Sequence, residues 1–122
     1  IVADIIPSKP SEFIASASAD AKWLFDPALV DAAAQLAWVW GCTLRNAAAL
    51  PNRFGRVRRF AGAGKPARTL FALAPGLPEH QVLADFAVVD EQGRPVFVIE
   101  EVESTANAAL NRICGYAGEI RV

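Results

Sequence analysis

Two side chains that could share a proton lie four residues apart in an otherwise apolar stretch, FDPALVDAAAQLAWVW (residues 25–40). Asp31 is its one carboxyl group after the opening Asp-Pro, and Gln35 is its one amide. In a helix this spacing places both on one face, which Trp38 and Cys42 continue, so the Gln35 amide can hydrogen-bond the Asp31 carboxyl group. An apolar setting disfavours the ionised form, which would leave Asp31 a proton donor at neutral pH. The alternative is a solvated acid that the helix dipole favours.

The sequence offers few other groups for catalysis or metal binding. His80 is the single histidine and lies in PEHQ, a turn before a strand. We predict an exposed residue there, with a base acting across a dimer interface as the alternative. Cys42 and Cys114 are the two cysteines, and they lack the spacing of a zinc site or disulfide framework, which favours a reducing, cytoplasmic location. We expect no metal site and no bound cofactor.

One long helix is expected to position the Asp31 carboxyl group. Asp26 and Pro27 are typical of a helix start, because the carboxylate accepts from free backbone N–H groups and proline fits the first position. Helix-forming residues continue to about Leu44. Apolar residues surround the axis, which predicts a helix covered on most sides, and Gly41 indicates a close approach of neighbouring backbone.

Strand-like segments accompany this helix. They are residues 12–19 before it and residues 54–62, 67–74, 81–90 and 94–104 after it. Turn sequences separate them, and Asp90–Pro95 predicts a hairpin. A short helix from Thr105 and a frayed tail are expected at the end. The pattern indicates one α+β domain over residues 1–122, in which a curved antiparallel sheet wraps the helix. This is the arrangement of a hotdog fold, and the pattern by itself also fits other α+β layouts.

Composition and charge narrow the class of protein. With 122 residues, 53% hydrophobic and 20% charged, the chain suits one folded domain. The net charge of -1 gives no overall field that would favour nucleic acid or an anionic membrane. The longest apolar run is too short to cross a bilayer. Because the sequence contains no methionine, we interpret it as a piece of a longer polypeptide.

Four motifs follow one another in a fixed order: DPALVDAAAQ, then Leu50-Pro51, then GRVRRF, then LADFAVVDEQGRPVFVIEEVES. This series, from Phe25 to Ser104, resembles the C-terminal hotdog half of the dehydratase domain of polyketide and related fatty-acid synthases. The family pattern there is DPxxLDxxxQ, LP, a strand with a basic run, and a strand pair aDlxvxDexGxpv. The ordered series is specific, whereas DPxxxD alone is common.

The resemblance implies that water is eliminated from β-hydroxyacyl chains on the phosphopantetheine arm of an acyl-carrier protein. Asp31 matches the catalytic aspartate and Gln35 the glutamine one turn later. Trp38, Leu50 and Pro51 are candidate substrate-binding residues, with core packing as the alternative for Trp38. In the family a histidine removes the α-proton, and the aspartic acid assists departure of the hydroxyl group as water.

That histidine belongs to the other hotdog half, in an HxxxGxxxxP pattern that this sequence lacks. Three functions therefore stay open: one half of a double hotdog, a noncatalytic hotdog that dimerises or holds an acyl chain within a synthase, and a hotdog thioesterase. A lone hotdog leaves a sheet edge and a helix flank exposed. We therefore expect a second hotdog as partner, either a second copy or the missing half.

The charges are unevenly distributed along the chain. Six basic residues and no acid occur between Pro51 and Arg68, whereas the later strands are acidic. Arg56, Arg58 and Arg59 are candidates for docking an acidic carrier protein or its phosphate, and a solvated strand face is the alternative. The patch lacks the interleaved aromatic residues of single-strand nucleic-acid binders, so nucleic acid is not expected as a partner. A membrane is not expected either, because of the net charge and the short apolar run.

Overall fold

The computed structural model of the chain describes residues 1–115. Five antiparallel strands form one sheet in the order β1-β3-β4-β5-β2, and the long helix α2 packs on one side of it. The strands are β1 (Val2–Asp4), β2 (Ala48–Arg59), β3 (Pro66–Leu73), β4 (Gln81–Asp90) and β5 (Pro95–Asn107). The helices are α1 (Pro10–Phe13), α2 (Pro27–Arg45) and α3 (Ala109–Ile113). This is the predicted α+β hotdog arrangement.

Helix α2 begins where the sequence predicted. The Asp26 carboxylate accepts a hydrogen bond from the Ala28 amide at 3.0 Å, and Pro27 occupies the first turn. The same carboxylate accepts from the Ser8 amide and hydroxyl, each at 2.6 Å. At the other end Asn46 adopts the left-handed conformation with φ 50°, which stops the helix. Asp26 therefore caps α2 and also fastens the segment that precedes it.

The expectation that α2 is covered on most sides is wrong. The side toward the sheet is buried, and it includes Leu29, Ala33, Leu36, Ala37 and Trp40. The other side is open, with Val39 and Leu44 exposed. Alanine counts as apolar in a sequence pattern but loses little by facing water, so the apolar circumference overstated the buried face. An open helix side remains for another molecule or domain to cover.

The core lies between α2 and the helix-facing side of the sheet. Alternate residues of β4 supply Val82, Ala84, Phe86 and Val88, and β5 adds Phe97, Ile99 and Val102. Burying each large apolar side chain stabilises the fold by about 1.5–3 kcal/mol.

Gly41 is required where the chain turns from α2 into β2. A Cβ atom there would lie 2.5 Å from the carbonyl oxygen of Ala47 and 3.1 Å from the Cβ atom of Ala49. Real Cβ atoms do not approach backbone so closely, so a side chain would force the turn away from the helix. The predicted close approach of backbone at Gly41 is confirmed.

The predicted hairpin joins β4 to β5. Its Asp90 carboxylate, 1% exposed, accepts from the backbone amides of Gly64, Gln92 and Arg94 and from Arg94 Nε, at 2.8–3.0 Å. Gly93 adopts φ 78°, which glycine tolerates. Burial alone would raise the pKa of this carboxyl group. The hydrogen bonds from Gly64 and Arg94, with the Arg94 charge, outweigh burial and lower the pKa to about 2.

The strand predicted over residues 12–19 is wrong. Residues 10–13 form α1 instead, because Pro10 suits a first helical turn and the Glu12 carboxylate accepts from the Lys9 amide at 3.0 Å. The loose alternation of small residues had no partner strand to support it. The strand that does precede α2 is β1, which the sequence pattern did not indicate; it pairs antiparallel with β3.

The last three predicted strands are confirmed, with longer bounds for β5. Because β5 continues to Asn107, the helix expected from Thr105 begins at Ala109 instead. The frayed tail predicted after that helix falls largely on residues 116–122, outside the described residues. No helix in the described part of the chain has the length and apolar character needed to cross a membrane.

Candidate active site

A groove of about 370 Å³ lies between α2 and the beginning of β2. Its lining residues are Asp31, Ala34, Gln35, Trp38, Ala49, Leu50, Pro51 and Cys114. Most of these side chains are apolar, and one carboxyl–amide pair provides the polar group. Such a lining suits an apolar chain that carries a polar group at one point.

The Asp31–Gln35 pair has the predicted hydrogen bond. Gln35 Nε2 donates to Asp31 Oδ2 at 2.7 Å, as the spacing of four on one helix required. The predicted dry setting is wrong, because both side chains are exposed. They lie on the open side of α2, away from the residues that pack on the sheet. The groove therefore presents this pair to solvent in the described chain.

The three candidate substrate-binding residues all line the groove. Trp38 and Leu50 are half-buried, and Pro51 is exposed. The pairing of β2 with β5 shifts between Pro51 and Arg53, where the ladder is irregular. Proline cannot donate to a ladder, so an irregularity at this place is expected, and such bulges redirect nearby side chains. Asn52, within the irregular stretch, donates instead to the Thr105 hydroxyl at 2.6 Å.

The two cysteines interact with each other. Cys42 follows Asp31 by eleven residues, which is three turns of α2, so it continues the face of Asp31 as predicted, although it is only 2% exposed. Cys114 lines the groove. Burial raises the pKa of the Cys42 thiol, and interaction with Cys114 raises it further, which keeps Cys42 an unreactive thiol. Nothing in the sequence signalled Cys114, because its position depends on how the chain folds after β5.

His80 lies apart from the groove lining. It is an exposed turn residue, as predicted, and its carbonyl oxygen accepts from the Ala106 amide at 3.0 Å. No histidine therefore lines the groove among residues 1–115. Within the same residues, no group of three His, Cys, Asp or Glu side chains could hold a metal ion.

The basic run of β2 is divided between the two sides of the sheet. Arg56 and Arg58 pair with Glu100 and Val98 of β5 and face away from α2, whereas Arg59 pairs with buried Phe97 on the helix-facing side. The three docking candidates therefore do not share one face.

Ion pairs neutralise part of this basic run. Arg53 is paired with Glu103, and Arg58 is paired with Glu100 at 2.6 Å. Arg56 has no ion-pair partner in the described part of the chain, and the same holds for Arg59 there. These two cations are therefore the ones left for another molecule.

Comparison with known proteins agrees with this fold. Residues 9–112 match the family described as "Polyketide synthase dehydratase N-terminal domain". The chain belongs to this polyketide synthase dehydratase family. The resemblance in the sequence had pointed to the C-terminal half of such a domain, and what the two assignments share is the dehydratase hotdog.

Among solved structures, the dehydratase domain of PpsC from Mycobacterium tuberculosis, in complex with C12:1-CoA, is similar to the chain. The TM-score is 0.52 and the sequence identity 24%, over 67% of this chain and 31% of that one. This likeness concerns the fold, and the chain spans about a third of the PpsC dehydratase chain. No curated protein sequence matches the chain.

Proposed function

We propose that the chain is the aspartate-bearing hotdog of a synthase dehydratase, which eliminates water from β-hydroxyacyl groups carried by an acyl-carrier protein. The observation that supports this most is the hydrogen-bonded Asp31–Gln35 pair on an apolar groove. Trp38, Leu50 and Pro51 would hold the acyl chain beside it. The proposal is tested by comparing the rate of dehydration of a β-hydroxyacyl thioester by wild type with the rate by Asp31→Asn. The acyl-CoA bound to the PpsC domain is a thioester of the same ligand class.

The aspartate motif favours the C-terminal half of a dehydratase over the N-terminal half that the family description names. DPALVDAAAQ carries the matched aspartate, and the sequence has no HxxxGxxxxP pattern. The base that removes the α-proton would then come from a second hotdog.

The proposed reaction needs one base to take a proton and one acid to give a proton. The base of the second hotdog takes the α-proton, and the electron pair of that C–H bond forms the double bond. The C–O bond at the β-carbon breaks, and Asp31 gives its proton so that the hydroxyl group leaves as water. Gln35 Nε2 then stabilises the new carboxylate by its hydrogen bond. A second hotdog over the open side of α2 would also supply the dry setting that Asp31 lacks here.

Exposed apolar groups support this pairing. β2 is a twelve-residue strand at the edge of the sheet, and Phe54 and Val57 on its helix-facing side are 45% and 44% exposed. An exposed edge with apolar side chains favours association with another chain or domain. Both a second copy and the histidine-bearing half fit this description.

Sedimentation equilibrium tests the pairing. We expect wild type to associate, alone or with the histidine-bearing half, and Val57→Asp to weaken association by about tenfold or more, because a buried charge is costly. Val2→Asp, at the opposite edge of the sheet, is the matched control and should associate like wild type. A wild-type chain that stays monomeric at high micromolar concentration, both alone and with the histidine-bearing half, would contradict the pairing.

We assign attraction of the acidic carrier protein to Arg56 and Arg59, because both charges lie on the edge strand β2 and act at long range although the two residues face opposite sides of the sheet. The Arg58 guanidinium is already paired with Glu100 and lies over the Phe60 ring, 5.8 Å from its centroid. Uncommitted cations steer an acidic partner more effectively than paired ones.

Charge reversal tests this assignment. Arg56→Glu and Arg59→Glu should each slow association with the carrier protein by about tenfold at low salt, and by less at high salt, because screening removes the long-range attraction. Arg68→Glu, on β3, which β4 and β5 separate from β2, is the control. Stopped-flow association rates that are equal in all three variants would refute the docking role.

A noncatalytic acyl-binding hotdog is the second candidate. It is favoured by the exposure of Asp31 and by the lack of a histidine in the groove lining among the described residues. This function predicts that the chain binds acyl thioesters without turnover in any pairing, and that Asp31→Asn binds them as wild type does.

A further inference from the structure

Helix α3 brings Cys114 to the groove, although hardly any packing holds this helix in place. No side chain of α3 is buried. Asn111 provides the firm attachment of α3. The Asn111 Oδ1 atom accepts from the Ala48 amide at 2.7 Å, and the Asn111 Nδ2 atom donates to the Asn46 carbonyl oxygen at 2.9 Å. One amide side chain thereby hydrogen-bonds two backbone groups in residues 46–48, the corner between α2 and β2.

That corner is fixed to α2. The Ala47 amide donates to the Gly41 carbonyl oxygen at 3.1 Å, and the absence of a Cβ atom at Gly41 lets the corner lie against the helix. Ala48 and Ala49 are fully buried directly after it, and Ala49 lines the groove. Asn111 therefore fastens α3 to a part of the fold that cannot shift without moving the groove itself.

The groove wall at Cys114 depends on this fastening. The Cys114 amide donates to the Leu110 carbonyl oxygen at 2.9 Å, which carries the last turn of α3 directly into the wall. Cys114 and Trp38 then border the same groove. If the Asn111 hydrogen bonds are lost, no buried side chain of α3 remains to keep Cys114 there.

We propose that Asn111 is a positioning residue that holds α3 as the end wall of the groove, and that Cys114 on this wall limits the length of the apolar chain the groove accepts. The ligand class is a straight-chain acyl thioester. This inference rests on the proposed function for that ligand class but not for the elimination of water.

Binding of saturated thioesters tests the length limit without any turnover. Butanoyl, octanoyl and dodecanoyl pantetheine lack a β-hydroxyl group, so calorimetry reports binding alone. Each methylene that contacts the apolar walls adds about fourfold in affinity. For wild type the gain should stop once the chain reaches the end wall. Cys114→Trp should weaken dodecanoyl binding by about tenfold or more and leave butanoyl binding unchanged.

Asn111→Ala should remove the limit, so that dodecanoyl pantetheine gains affinity relative to octanoyl pantetheine. Arg112→Ala, exposed on the same helix, is the matched control and should keep the wild-type profile. The alkylation rate of Cys114 by iodoacetamide, read by mass spectrometry, should rise about fivefold or more in Asn111→Ala and stay unchanged in Arg112→Ala. Buried Cys42 serves as the internal reference.

A wild-type chain that binds none of the three probes overturns the inference. So does a chain-length profile that is the same in wild type, Cys114→Trp and Asn111→Ala, even if the Cys114 alkylation rate changes. Cys114→Trp leaves the Asn111 anchor intact, so the length limit is tested even if Asn111→Ala fails to fold. The dehydration assay of Asp31→Asn judges the proposed function separately, because these probes cannot be dehydrated.

Discussion

Replacing Asp31 with asparagine lowers the rate of dehydration by about 10²–10⁴-fold, the contribution of one positioned general acid. Asparagine has nearly the same shape and still accepts the hydrogen bond from Gln35 Nε2, but it has no acidic proton to give to the departing hydroxyl group. Binding of the thioester should therefore change by no more than about twofold. The measurement is formation of the enoyl thioester by the chain together with the histidine-bearing hotdog.

Two further variants make this experiment specific. Asp20→Asn alters an exposed carboxylate outside the groove and should leave the rate unchanged. Gln35→Leu removes the hydrogen bond to Asp31 and should lower the rate by about tenfold, with a smaller effect on binding. Wild-type turnover in Asp31→Asn would exclude Asp31 as the acid. Equal loss in Asp20→Asn would point to a general effect on the fold.

Replacing Asp90 with asparagine lowers the melting temperature by roughly 10–15 °C, the largest effect expected from any single carboxylate in the described chain. Its two oxygens accept four hydrogen bonds in a buried position, and one of these comes from the charged Arg94 side chain. An amide offers one acceptor oxygen, and its NH₂ group would face donors. Glu91→Gln, the exposed neighbour, is the control, and calorimetry measures both.

The pH dependence follows from the lowered pKa of Asp90. The folded value is about 2, below the ordinary value of ~3.9, so unfolding takes up a proton between these values. The stability that Asp90 contributes is complete above the unfolded-state value and is lost as the pH falls toward 2. The difference in melting temperature between wild type and Asp90→Asn should therefore narrow from pH 5 to pH 2. A constant difference over that range would contradict the assigned role.

The sequence predicted best those features that depend on neighbours along the chain. Asp26 and Pro27 define the start of α2 through groups within one turn. The hairpin at Asp90–Pro95 is closed by the Asp90 side chain and by Gly93, which has a positive φ. The Asp31–Gln35 hydrogen bond needs only helical spacing. Each of these contacts is local, so residue type and spacing were sufficient.

Features that depend on contacts distant in sequence were predicted poorly. The exposure of Asp31 follows from which side of α2 meets the sheet, and alanines on both sides hid that choice. Cys114 lines the groove, and the nearby Asn111 binds a corner more than sixty residues earlier in the chain. No pattern around Cys114 encodes either contact. The segment 12–19 had alternation but no partner strand, and pairing rather than alternation makes a strand.

The shift in pairing at Pro51 also determines how a second sheet can join this one. Beyond the shift, residues from Phe54 to Arg59 pair regularly with β5, and the opposite edge of this stretch is free. An added strand would find continuous backbone donors and acceptors only there, because the irregular stretch from Pro51 to Arg53 interrupts the ladder. An added strand would thus stop short of Leu50 and leave the groove wall at that residue uncovered.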